Sequence, residues 1–105
     1  MTILWRPSAI EDLRNTLAYI KHKLKNPSAA KALKDKVFSA VALLEENPHM
    51  GASLKAKFEL PDSVNYRCLI ISKQIVFYEI LGDTIEITRI LDGRTDYTSV
   101  LFPTE

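Results

Sequence analysis

The 105-residue chain has one cysteine, three glycines, two histidines and a net charge of only +1. A lone Cys68 forbids an internal disulfide and is compatible with a reducing compartment. One cysteine and two histidines cannot build a Cys/His zinc cage, so neither metal nor cofactor is expected. Gly51, Gly82 and Gly93 stand singly, which excludes a glycine-rich phosphate loop. Near-neutral charge argues against a dedicated nucleic-acid binder, and 47% hydrophobic residues argue against disorder. No apolar run reaches the ~18–20 residues of a membrane span. The first residues, Met1 to Pro7, lack the layout of a signal peptide. The expectation is a cytoplasmic protein with no membrane contact.

What is present suits one domain over residues 1–105 with a modest core. Thr2 to Trp5 reads as a short strand ended by Pro7. Ser8 and Glu11 have capping-box spacing, and Ile10, Leu13, Leu17, Ile20 and Leu24 then recur every three or four residues. Asn26-Pro27-Ser28 interrupts that helix and opens a second, with Ala30, Leu33, Val37, Val41 and Leu44 inward and Asn47-Pro48 at its close. A loop from His49 to Asp62 follows, with a short extended piece near Phe58. The period then drops to two. Val64–Ile71, Ile75–Leu81 and Ile85–Leu91 read as an antiparallel meander turned at Ser72-Lys73-Gln74 and Gly82-Asp83, with a short last element over Asp96–Phe102. The predicted fold is α+β: an antiparallel helical hairpin on a mainly antiparallel four-stranded sheet that includes the N-terminal strand, with a short C-terminal tail.

Charge is unevenly placed. Residues 1–50 carry eight Lys/Arg against five acids, while residues 51–105 carry six against eight. Lysines cluster on the helices, Lys31, Lys34 and Lys36 among them, and such a field can steer an acidic partner. Arg89 falls in phase with Ile85, Ile87 and Leu91, so a regular strand would turn its guanidinium to an apolar face. It therefore needs an anionic or carbonyl partner, with Asp92 or Asp96 folding back as a clamp, or a bulge that turns it outward. Cys68, mid-strand, reads as a buried hydrophobe; His22 and His49 read as surface residues.

The helix pair, Asn47-Pro48, Gly51, Tyr66-Arg67, Ile75 to Tyr78, Ile85 to Ile87 and the run Arg89 to Asp96 together resemble the RelE/ParE toxins of type II toxin–antitoxin systems. The resemblance implies the fold above, a growth-arresting toxin held by a cognate antitoxin in a hetero-oligomer, and a role in plasmid stabilisation. RelE-type members cleave messenger RNA on the ribosome, without metal, through basic residues and a tail aromatic. Carried over singly, those positions give Arg67 followed by Leu69, Ile75 where an arginine would stand, Arg94, and Val100 with Tyr97 one turn earlier. Arg67, Arg94 and Tyr97 are thus the residues of a ribonuclease, if there is one. Two cations without a convincing acid or base serve poorly for proton transfer. The chain looks closer to the ParE branch, whose members poison DNA gyrase by binding. That implies Arg94 and Tyr97 as target contacts and Lys31, Lys34 and Lys36 as antitoxin contacts. The alternatives are a ribosome-dependent endoribonuclease and a non-toxic binding module of the same fold.

Overall fold

The computed structural model describes residues 1–56 and 65–102. In chain order these form β1 (Thr2–Trp5), α1 (Pro7–Ala18), a π-helical turn (Tyr19–Lys23), α2 (Pro27–Leu43), β2 (Ala52–Ser53), a 3-10 turn (Leu54–Ala56), β3 (Tyr66–Ile71), β4 (Gln74–Leu81), β5 (Thr84–Asp92) and α3 (Tyr97–Leu101). The expected extended piece near Phe58 and the start of the strand at Val64 lie outside the described residues.

The sheet order is β1-β5-β4-β3-β2; β1 runs parallel to β5, and the other pairs are antiparallel. The expected four strands are all present. The fifth, β2, is a two-residue addition in the segment read as loop, held opposite Arg67 and Cys68. Its strand pairing comes from tertiary contact, because Ala52-Ser53 has no alternation long enough to read.

Both helices cover one face of this sheet. The inward stripe of α2 is as its spacing predicts: Ala30, Leu33, Val37, Val41 and Leu44 are all buried. Asn26 caps it by accepting the Ala29 N–H at 3.1 Å, with Pro27 in the first turn. The predicted stripe of α1 needs correction. Ala9 and Leu13 are buried, Leu17 and Ile20 pack at the margin, but Ile10 is 42% and Leu24 57% exposed. Arg6, not Ser8, is the N-cap, and the Ser8 hydroxyl instead donates to the Thr88 carbonyl at 2.8 Å. That bond turns the Ala9 face onto β5. The π-helical turn then adds a residue to the helical cycle and rotates Leu24 off the stripe.

The core against the helices includes Val76, Tyr78, Ile85, Ile87 and Ile90. Ile85 and Ile87 share a face, yet Ile90 is buried with them, because the β4–β5 register shifts between Phe77 and Tyr78. Phe77 faces Arg89 and Tyr78 faces Ile87, so Thr88 is the extra residue of a bulge. Its hydroxyl donates to the Phe77 carbonyl at 3.1 Å.

Candidate functional site

Helices α1 and α2 leave a groove between them of about 480 Å3. Trp5, Ile10, Leu13, Leu17 and Phe38 line it, with Arg14 and Lys34 at its edges. Trp5 and Phe38 meet with ring centroids 5.3 Å apart. The same seam continues past Leu17 to Ala30, flanked by Lys21, Lys31 and Lys34. An apolar floor between cationic rims suits an amphipathic helix with an acidic border.

The position of α1 is fixed from the edge of the sheet. β1 covers β5 only as far as Ile87, so beyond it the backbone of β5 has an open side. α1 closes it. Arg6 N–H donates to the Ile87 carbonyl, Ser8 to Thr88, and the Asp12 carboxylate accepts the Ile90 N–H at 3.0 Å. Asp12 also takes the Arg89 guanidinium in a two-pronged pair at 2.7 and 2.8 Å. Hydrogen bonding to Asp12, more than the charge attraction, raises the pKa of Arg89.

A second anchor holds the chain after α2. The hydroxyl of fully buried Tyr78 donates to the Pro48 carbonyl at 2.8 Å and accepts the Gly51 N–H at 2.9 Å. Arg67 donates from Nε to the Gly51 carbonyl at 2.9 Å and from a terminal nitrogen to the His49 carbonyl at 3.0 Å. A Cβ on Gly51 would stand 2.5 Å from the Cys68 carbonyl oxygen, which excludes any larger residue there.

On the opposite face of the sheet, Tyr97 from α3 packs on Phe77 at 5.2 Å, and Phe102 meets Tyr66 edge-on at 5.7 Å. Glu79 and Glu86 are cross-strand neighbours there, with Glu86 paired to Arg6 at 3.1 Å. Burial raises the Glu79 pKa, with Arg6 opposing and Glu86 adding to the shift. After β5, Arg94 donates to Asp92 at 3.1 Å, which holds the Asp92 carboxyl below its ordinary pKa.

A sequence-family profile described as the ParE toxin of the type II toxin–antitoxin system parDE matches residues 3–97. The chain belongs to the ParE toxin family. A search of curated proteins returned no significant match. Among solved structures, the fold is similar to that of a chain from the chromosomal ParDE toxin–antitoxin system of P. aeruginosa. The TM-score is 0.69 at 22% identity, over 88% of this chain and 95% of that one. The resemblance read from the sequence is thereby confirmed, and the chain is a ParE-like type II toxin.

Within this toxin the three residues considered for a ribonuclease do not form one site. Arg67 stands opposite Tyr78 on the helix-covered face, its guanidinium committed to two carbonyls. Tyr97 lies against Phe77 on the other face. Arg94 is at the turn after β5, its side chain 92% exposed. Of the two expectations for Arg89, the bulge that turns it outward is present, while the clamp by Asp92 or Asp96 needs correction. The partner is Asp12, while Asp92 binds Arg94 and Asp96 accepts the Ser99 hydroxyl at 2.8 Å. The bulge at Thr88 brings this about, since it turns Arg89 out of the Ile85–Ile87 face and toward the helix-closed edge.

The lysine trio divides as well. Lys31 and Lys34 flank the seam, with Lys31 paired to Asp35 at 2.8 Å. Lys36 lies about 200° around α2 from Lys34 and lines neither part of it. Sequence reasoning missed Asp12, Phe38 and Tyr78. Asp12 carried a signal, an acid next to Leu13 and three residues after Ala9 on the inner side of an amphipathic helix.

No group of three or more His, Cys, Asp or Glu among the described residues is placed to hold a metal ion. No helix among them is long and apolar enough to cross a membrane.

Proposed function

We propose that this toxin binds DNA gyrase and stalls it on cleaved DNA, and that a cognate antitoxin neutralises it in a hetero-oligomer by laying an acidic amphipathic helix along the α1–α2 seam. The observation that carries the gyrase reading is the dispersal of Arg67, Arg94 and Tyr97, with Arg67 and Tyr97 on opposite faces of the sheet. Cleavage by 2′-hydroxyl attack needs a base, an acid and cations around one phosphate. Poisoning by binding needs only a surface. The antitoxin reading is supported by the apolar seam and its cationic rims.

The test is supercoiling by purified gyrase with increasing toxin. Inhibition with accumulation of linear DNA, reversed by the antitoxin, is the expected result. Codon-boundary cleavage of a reporter message in a translating extract, lost with Arg94→Ala, would replace this reading with a ribosome-dependent nuclease. Normal growth after induction of the toxin alone would leave a binding module.

A further inference from the structure

A second opening lies on the far side of the helical hairpin. It is a cleft of about 610 Å3 between α1, the π-helical turn, the start of α2, the β3–β4 turn and the residues after β5. It shares no lining residue with the α1–α2 seam.

Gln74 lines the cleft at only 7% exposure, and its Oε1 is buried with no hydrogen-bond partner among the described residues. An orphaned buried acceptor costs about 1–3 kcal/mol, and turning the Gln74 amide toward a donor seated in the cleft recovers that cost. The mouth of the cleft carries Tyr19 at 56% and Leu24 at 57% exposure, beside Lys73 and Arg94. Tyr19 is near enough to Arg94 to raise its pKa slightly, after the larger effect of Asp92. Two cations against Asp92 leave the mouth net positive.

The backbone around the cleft is also irregular. The π-helical turn runs from Tyr19 to Lys23, and Lys25 and Ser72 hold φ of 50° and 58°. Lys25 follows the helical cap and Ser72 lies in the β3–β4 turn, so these left-handed residues end the two elements at the rim of the cleft. Exposed tyrosine and arginine at a concave rim are the side chains that most often anchor protein partners.

We propose that this cleft grips the toxin's target protein, taking an acidic loop whose carboxylate meets Lys73 and Arg94 and whose amide or hydroxyl donates to Gln74 Oε1. The inference rests on the reading that the toxin acts by binding a protein while its antitoxin occupies the seam. It adds that the two partners use separate surfaces.

The test compares full-length wild-type toxin with Tyr19→Ala/Arg94→Glu and with Gln74→Leu. The readouts are inhibition of purified gyrase, cleavage of a reporter message, growth arrest on induction without antitoxin, affinity for the purified antitoxin, binding of a single-stranded oligonucleotide, and melting temperature. The double variant should need at least tenfold more toxin for half inhibition, since it removes two anchoring side chains and either alone is worth about that factor. It should arrest growth less and bind antitoxin as wild type does. Gln74→Leu should weaken inhibition with no fall in melting temperature, which separates lost recognition from lost folding.

If both variants inhibit gyrase and arrest growth as wild type does, the cleft assignment is wrong. If wild type leaves gyrase untouched and a reporter message uncleaved but arrests growth, and the variants do not, the gyrase reading falls while the cleft still grips a protein; cleavage of the message lost with the double variant would overturn the assignment. A single-stranded oligonucleotide bound by wild type and released by the double variant would make the cleft a nucleic-acid site and overturn the assignment. A wild type inert in every assay would sink both readings.

Discussion

Replacing Asp12 by alanine removes the acceptor of three hydrogen bonds at one stroke: two from Arg89 and one from the Ile90 N–H. Breaking a fully buried ion pair costs about 3–5 kcal/mol, because the surviving charge is left desolvated. Here the Arg89 side chain keeps 32% of its exposure and Asp12 keeps 15%, so water recovers part of that loss. The orphaned Ile90 N–H adds about 1 kcal/mol. We therefore expect Asp12→Ala to lose about 3 kcal/mol of unfolding free energy, a large share of the ~5–15 kcal/mol of such a domain. Urea titration measures it directly. Arg89→Met should cost less, about 1–2 kcal/mol, because Asp12 keeps its bond to Ile90 and part of its hydration. The double variant should be clearly more stable than the sum of the two losses implies, with a coupling of about 1–2 kcal/mol. Asp92→Asn and Asp96→Asn should leave Arg89 unaffected. An Asp12→Ala protein within 0.5 kcal/mol (roughly the scatter of surface substitutions) of wild type would refute the edge-closing role assigned to this carboxylate.

Tyr78→Phe leaves the Gly51 N–H and the Pro48 carbonyl without their shared partner, so it should destabilise the fold by about 2 kcal/mol in a denaturant titration. Glu79 is a carboxyl whose pKa rises on folding, so the folded state binds its proton more tightly than the unfolded chain does. Stability then falls as pH rises from the ordinary glutamate pKa through the raised folded value, and the loss is complete at neutral pH. Glu79→Gln should accordingly gain stability at pH 7, because a neutral amide escapes the cost of burying the charged carboxylate, and nothing near pH 3, as thermal melts at the two pH values will show. Lys34→Glu should slow association with the antitoxin several-fold at low salt, whereas Lys36→Glu should change the rate little, in stopped-flow mixing at two ionic strengths. Equal slowing by both would mean that the antitoxin does not follow the seam.

The residues that specify this fold locally could be read from the sequence, and those that lock it together at a distance could not. The α2 stripe repeats its signal five times, from Ala30 to Leu44, so one face is determined without any knowledge of what it meets. Thr88 gives no comparable sign. Whether it alternates with its neighbours or bulges depends on how Phe77 and Tyr78 pair across the strand, which is a property of two segments at once. The sequence allows either a clamp from the tail or a bulge that turns Arg89 outward, and it does not show which partner such a bulge brings within reach. The partner lies 77 residues earlier, on a helix whose approach is set by Pro7, Ser8 and the small Ala9.

The same logic explains why the seam was found only in part. The spacing puts Ile10 on the inward stripe of α1 and leaves Phe38 off that of α2, yet both stand exposed at the margin where α1 crosses α2 and line one groove. An apolar side chain exposed on one helix is unremarked surface. When both helices expose one on the side where they meet, and Trp5 completes the floor, the result is a continuous apolar surface that a partner can cover. The lysines of α2 sit at sequence positions that look equivalent, yet the 100° step of the helix puts Lys34 on that surface and Lys36 away from it. Charge count alone could not separate them. Helix phase does, and it turns a general basic character into a directional one.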